Sequence, residues 1–253
     1  MITLLQCEYR KTRRTYLFLT ALGITVIQLC WALYGTHPED TLQWGWMMFL
    51  YQLPLVNAIF LPILSIIVSS RLADLEHKGA MLKYLTVITD KKYIYDAKLI
   101  YGLSIVLLCS LFSWGTTILF GYIIGFSGDV PLRLYVLYLL FTLTPTAVIY
   151  QLLHALALLF RNQAVTFFTG ITGAFIGLFS MFLPQFPILR KLLPWGYYGA
   201  LQFVGMFGWT KETRMRNVYF SAMDIDWPAF GILIIMSIVI YLIGKKLFEK
   251  KEV

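Results

Sequence analysis

The stretch LRLYVLYLLFTLTPTAVIYQLLHALALLFRNQAVTFFTGITGAFIGLFSMFL, residues 132–183, decides the fold. It is apolar almost throughout and too long for a single helical crossing of a bilayer, which needs about 20 residues to span about 30 Å of hydrocarbon. Beyond its outer edge at Arg133, its one fixed charge is Arg161, in the tight turn Arg161-Asn162-Gln163. That turn divides the stretch into two crossings, 132–160 and 164–183.

The rest of the chain has the same character. Of its 253 residues 59% are hydrophobic and only 13% charged, with a mean hydropathy of +0.72. Soluble domains carry about 25% charged residues, so a water-soluble fold is excluded. An aromatic content of 17% suits the interface between hydrocarbon and water, where Trp and Tyr gather. Four further apolar runs, 16–34, 46–70, 99–126 and 228–244, complete the pattern. We therefore expect an all-α polytopic membrane protein with six transmembrane helices, a single transmembrane domain over residues 1–253. No large soluble domain fits in the loops, so any catalytic or nucleotide-binding domain belongs to another chain. The first run follows Arg10, Lys11, Arg13 and Arg14 but has no small-x-small cleavage site, and it reads as a retained span.

Charge sets the orientation. With both termini cytoplasmic, fifteen of the 21 Lys and Arg residues fall on the inner side; the other six are Arg133, Arg190, Lys191, Lys211, Arg214 and Arg216. This obeys the positive-inside rule. The formal excess of +8 then faces the cytoplasm and anionic lipid, and no nucleic acid is needed to explain it. Between residues 185 and 227 a second apolar patch, 194–209, is too short to cross. It fits a re-entrant or interfacial hairpin, with Trp195, Tyr197, Tyr198, Phe203, Phe207 and Trp209 near the headgroups.

Motifs for bond chemistry are scarce. Neither HExxH nor the P-loop pattern GxxxxGK[ST] occurs. Cys7, Cys30 and Cys109 show no disulfide or zinc spacing. Acids avoid the apolar runs, which disfavours ion-coupled carriers and aspartyl proteases. Gln28, Asn57, Gln151 and His154 are amide and imidazole side chains inside the spans. They read either as polar residues of a pathway or as interhelical hydrogen-bonding groups. Gly125-Phe126-Ser127-Gly128 spells the GxSG of intramembrane serine proteases, which admits a hydrolase using Ser127 and His154; the following Asp129 and Pro131 favour a simple turn. A third reading is an ATP-independent channel or structural protein. The pairs Gly121/Gly125 and Gly173/Gly177, the latter extended by Gly170 and Ala174, allow close helix packing within the chain or at a subunit interface. Pro54, Pro62 and Pro145 fall inside spans and favour kinks.

The longest inner loop runs from Arg71 to Lys98. Leu72, Leu75, Gly79 and Leu82 recur at intervals that place them on one helical face. Arg71, Asp74, Glu76, His77, Lys78 and Lys83 cover the remainder. Such an amphipathic helix either rests on headgroups or docks a soluble partner, and the mixed charges suit directional pairing.

These residues, in this order, resemble a known family. Glu8-x-x-Lys11-x-Arg13-Arg14 enters the first span. Asn57 and Pro62 in the second lead into Arg71-x-x-Asp74-x-Glu76-x-x-Gly79-x-x-x-Lys83-x-Leu85, and Lys91, Lys92 and Lys98 open the third. The chain resembles the permeases of ABC-2-type exporters, most closely the lantibiotic-immunity group, which Leu193-Pro194-Trp195 also resembles. The chain has Met81-Leu82-Lys83 where that group more often has Trp before the Lys, and Thr89-Asp90 where it has a Pro. The resemblance implies a second permease, as homodimer or related heterodimer, in a bacterial plasma membrane. It implies a dimer of ABC ATPase subunits that bind ATP and Mg, with no cofactor on this chain. It further implies an elbow helix at Met1–Thr15 and a coupling helix over Asp74–Lys83, with Arg71, Asp74, Glu76, His77, Lys78, Gly79 and Lys83 docking the ATPase. The cargo it implies is an amphiphilic peptide or another lipidic compound moved outward.

Overall fold

The computed structural model describes residues 1–34, 39–78, 81–183, 187–209 and 218–251. The helices, in chain order, are α1 (Ile2–Arg13), α2 (Leu17–Leu33), α3 (Gly45–His77), α4 (Met81–Ile88), α5 (Lys91–Ile124), α6 (Leu132–Leu159), α7 (Ala164–Met181), α8 (Pro187–Leu192), α9 (Tyr197–Ala200) and α10 (Trp227–Lys250). Two short strands, β1 (Val204–Phe207) and β2 (Tyr219–Ala222), pair antiparallel with Val204 opposite Ala222. Among the described residues, five helices, α3, α5, α6, α7 and α10, are long and apolar enough to cross a membrane; α1 and α2, bent 72° to each other, make a sixth if counted as one span.

Helices are the natural answer for such a sequence, because hydrocarbon offers backbone N–H and C=O groups no partner outside the segment itself. Their ends obey local chemistry. Gly125 ends α5 in a left-handed conformation, φ 84°. Asp226 caps α10, its carboxylate accepting from the Ala229 amide at 2.9 Å. The long α3 lies at the centre and packs on α2, α5, α6 and α7, while α10 packs on α6 and α5. Two apolar clusters fill the bundle. One, around Leu64, Val68, Leu72, Tyr95, Tyr150 and Leu153, occupies the half that holds α1 and the start of α5; we refer to this as the basic end. The other, around Phe49, Leu53, Tyr138, Phe141, Tyr197 and Phe220, fills the opposite half.

Three expectations change. The helix expected over Asp74–Lys83 is not continuous: α3 runs on to His77, the chain turns extended at Lys78, and α4 starts afresh at Met81. Gly79 lies outside the described residues. The reason is packing, since Leu72, Ala73 and Glu76 are buried and hold the end of α3 in helical register. The 194–209 segment is a short 3-10 turn (Pro194–Gly196), α9 and β1, so the fold is helical with a small β-hairpin appended. Its aromatic side chains mostly face inward: Trp195, Tyr197, Tyr198 and Phe203 are buried, and only Phe207 and Trp209 are exposed. The Tyr198 hydroxyl reaches Thr146, midway along α6, at 2.8 Å.

The glycine pairs resolve as packing within the chain. A Cβ on Gly177 would lie 2.6 Å from the Trp195 carbonyl oxygen, Gly173 faces the Trp195 ring, and Gly170 faces Ile66 of α3. Gly121 meets Trp46, whereas Gly125 serves as the terminator of α5. Both faces are occupied from within the chain.

Candidate functional site

Four charged side chains from three helices converge at the basic end. Glu8 and Lys11 stand three residues apart on α1, Glu76 comes from the last turns of α3, and Lys98 from the early turns of α5. Lys98 Nζ donates to Glu8 Oε2 at 2.8 Å, to Glu76 Oε1 at 2.9 Å and to the Leu72 carbonyl at 3.2 Å. Lys11 Nζ donates to Glu76 Oε1 at 2.7 Å and approaches Glu8 Oε1 at 3.4 Å. Glu8, Glu76 and Lys98 are buried. Two cations and two carboxylates leave the group neutral, and removing any one strands a charge away from water. Burial pushes the Lys11 ammonium down, but the hydrogen bond to Glu76 and the charges of both carboxylates outweigh it and hold Lys11 above its usual range. Next to this group, Thr12 of α1 shares a 2.5 Å hydroxyl contact with Tyr101 of α5. The elements α1, α3 and α5 are thus clamped together where the chain leaves the apolar region.

The expected docking residues part company around this clamp. Glu76 turns inward and is buried against Lys11 and Lys98. His77 Nε2 donates to the Ala157 carbonyl at 3.0 Å and ties α3 to the end of α6. Asp74 and Lys78 pair at 2.6 Å on the surface, and Arg71 and Lys83 are exposed. The short α4 buries only Leu82; Met81, Tyr84, Val87 and Ile88 project outward, at 45, 68, 86 and 80% exposure. The spacing of Met81, Tyr84, Val87 and Ile88 was the available signal for this apolar face, and it is masked in sequence when the helix is drawn from Asp74 to Lys83.

The polar residues at depth hold helices together. Gln28 of α2 donates to Asn57 Oδ1 of α3 at 2.6 Å, and Asn57 Nδ2 donates to Tyr138 at 2.7 Å and Thr142 at 3.3 Å on α6. Both Gln28 and Asn57 are buried. Gln151 accepts from Ser237 of α10 at 3.0 Å. His154 donates from Nε2 to the Tyr95 carbonyl at 3.3 Å and stacks on Tyr150. Of the readings open for these four, the geometry supports interhelical hydrogen bonding.

Ser127 is exposed in the turn after α5, beyond the start of α6, whereas His154 lies near that helix's far end. From Leu132 to His154 the helix rises about 33 Å, so the two cannot form a nucleophile and base. Among the described residues, no three His, Cys, Asp or Glu side chains converge as a metal site.

A cleft of about 530 Å³ opens at the basic end between α2, α3 and α7, with Thr20, Ser70, Arg71, Asp74, Gln163 and Phe167 among its lining. Ser70 Oγ and Gln163 Oε1 are buried behind this lining and have no hydrogen-bond partner among the described residues.

Comparison with known families matches residues 4–180, well over half of the chain, to the family described as ABC-2 family transporter protein. No protein of curated function matches the chain.

Proposed function

The chain belongs to the ABC-2 family of transporter proteins, and from that premise we propose that it is the membrane-spanning permease of an ATP-driven exporter, paired with a second permease and served by two ABC ATPase subunits. The observation that carries this reading is the outward face of α4. Val87 and Ile88 are 86 and 80% exposed at the basic end, where apolar side chains beyond the bilayer call for a protein to cover them. Lys83 on α4, with Arg71, Asp74 and Lys78 on and just past α3, surrounds this face with both signs of charge, which suits oriented docking. The ATPase contact in this reading is therefore centred on α4 rather than on a helix running from Asp74 to Lys83.

ATP and Mg are bound by the partner, and closure of its nucleotide sites displaces α4. The movement passes to the end of α3, where Glu76 grips Lys98 and Lys11, so that α1, α3 and α5 shift as one body. Both termini face the cytoplasm of a bacterial cell, as the charge bias supports. The cargo is an amphiphilic peptide of the lantibiotic kind, or another lipidic compound. Spans free of deep charge support an amphiphilic cargo, as does the cleft between α2, α3 and α7, where Arg71 and Asp74 border the apolar Ile66, Ile67 and Phe167.

The test is reconstitution of the permease with its ATPase in vesicles. Export should require both ATP and the ATPase, and Val87→Glu should abolish ATPase co-purification and export together. Export by the permease alone, without nucleotide, would overturn the reading.

A further inference from the structure

We propose that the bend between α1 and α2 is a binding site for the headgroup of an anionic phospholipid. The helix α1 has two faces. Glu8 and Thr12 turn inward to the charge cluster and Tyr101, and Lys11 follows them. The opposite face carries Gln6, Tyr9, Arg10 and Arg13 at helical spacing, and Arg14 and Tyr16 continue it into the bend. These six side chains line an open cleft of about 890 Å³.

The electrostatics of this cleft are one-sided. Among the described residues, no carboxylate lines it. Lys11, Lys78, Lys92, Lys98, Lys191 and Lys245 all pair with carboxylates, whereas among the described residues Arg10, Arg13 and Arg14 do not. All three are exposed. Three adjacent guanidiniums repel one another unless an anion lies among them, and the planar fork of Arg matches phosphate oxygens in pairs.

Position selects a lipid over a soluble phosphate. Tyr16 sits in the left-handed region, φ 52°, a conformation costly for a residue with a side chain, and the chain turns there through 72°. Apolar α2 begins at the next residue. Phe18 and Leu19, two and three positions beyond the cleft residue Tyr16, are exposed at 49 and 62%. The site thus has a phosphate-binding upper part and an acyl-binding wall beneath it, with Tyr9 and Tyr16 exposed at the level where such rings favour the interface. A soluble anion would use only the upper part. This assignment requires that the chain be embedded in a bilayer; it does not depend on the transport reading, its cargo or its ATPase.

The experiment titrates the purified full chain in mixed micelles with phosphatidylglycerol, cardiolipin or phosphatidylcholine and counts bound lipid by native mass spectrometry. The anionic lipids should bind about tenfold more tightly than phosphatidylcholine, and the triple variant Arg10→Gln, Arg13→Gln, Arg14→Gln should lose that preference, since each basic side chain near an anionic surface contributes a several-fold factor. The control Lys246→Gln, Lys250→Gln, which removes two exposed cations from α10, should keep it. Equal binding of phosphatidylcholine, undiminished binding by the triple variant, or full displacement by inorganic phosphate at the lipid's concentration would overturn the proposal. If the triple variant does not fold, the three single variants decide. Each should bind anionic lipid several-fold more weakly, and unchanged binding in all three overturns the site.

Discussion

Glu76 of α3 and Lys98 of α5 form an ion pair at 2.9 Å from which solvent is fully excluded, neither side chain having any exposed surface. Glu8, Lys11 and the Leu72 carbonyl surround the pair with charge-assisted hydrogen bonds, although Glu76 Oε2 is buried with no hydrogen-bond partner among the described residues. Replacing Lys98 with Ala should cost about 3–5 kcal/mol, the typical penalty for stranding buried charge. Adding Glu8→Gln in that background should recover part of the loss, with a coupling of about 0.5–3 kcal/mol in a double-mutant cycle followed by unfolding in mixed micelles. Strictly additive losses would show that the cluster does not act as a unit.

The exposed face of α4 separates docking from folding. Val87→Glu or Ile88→Glu should leave the unfolding transition within about 0.5 kcal/mol of the parent, as exposed substitutions do, while co-purification of the ATPase falls sharply. A variant that retains its ATPase would displace the contact from α4.

Glycines sort by what faces them. Gly177→Ala drives a methyl group against the Trp195 backbone and should destabilise by about 1–3 kcal/mol, the usual cost of overpacking. Gly231→Ala, in α10 with nothing within 4 Å, should be neutral or stabilise by up to about 1 kcal/mol through helix propensity. The comparison is read from thermal unfolding of the two variants side by side.

At the opposite end, Asp226 caps α10 and pairs with Lys191. The Lys191 ammonium, and after it the Ala229 amide, hold the Asp226 carboxyl below its ordinary value of 3.8. A carboxyl more acidic in the folded state contributes stability above that ordinary value and loses it as pH falls through the folded value. Asp226→Ala should therefore cost about 1 kcal/mol near neutral pH, the typical worth of a cap, and the difference from the parent should shrink in strong acid. Unfolding at a series of pH values checks both the size and the sign.

Orientation is testable by labelling. In a background without Cys7 and Cys30, both of which are exposed, a single cysteine at Lys91 should react only from the cytoplasm and one at Asp129 only from outside. The reverse accessibility would invert the topology.

Much of the architecture is legible because bilayer crossing imposes a length and a polarity that hydropathy reads directly. The runs 132–160 and 164–183 reappear as α6 and α7 within two residues at each end. What escapes is whatever depends on tertiary partners. Arg71, Asp74 and Glu76 look like the edge of a loop, yet α3 continues through them because Leu72 and Glu76 find buried company. Glu8 and Lys98 carry no local mark of their meeting, since ninety positions separate them. Trp195 and Tyr198 look like interfacial rings by composition, and only the glycine face of α7 and the Thr146 hydroxyl explain why they turn inward. Glu76 escapes for the same reason: on a helix drawn from periodicity it lies on the polar side, and in the fold that side is buried against Lys11 and Lys98.

The separation of Glu8 from its partner also sets an order of assembly. During synthesis the carboxylate of Glu8 is made ninety residues before the ammonium that will neutralise it, so α1 cannot reach its final seat until the third apolar run has entered the bilayer. A nascent chain halted earlier leaves that carboxylate without Lys98, and the pair closes only once α1 and α5 are both in place.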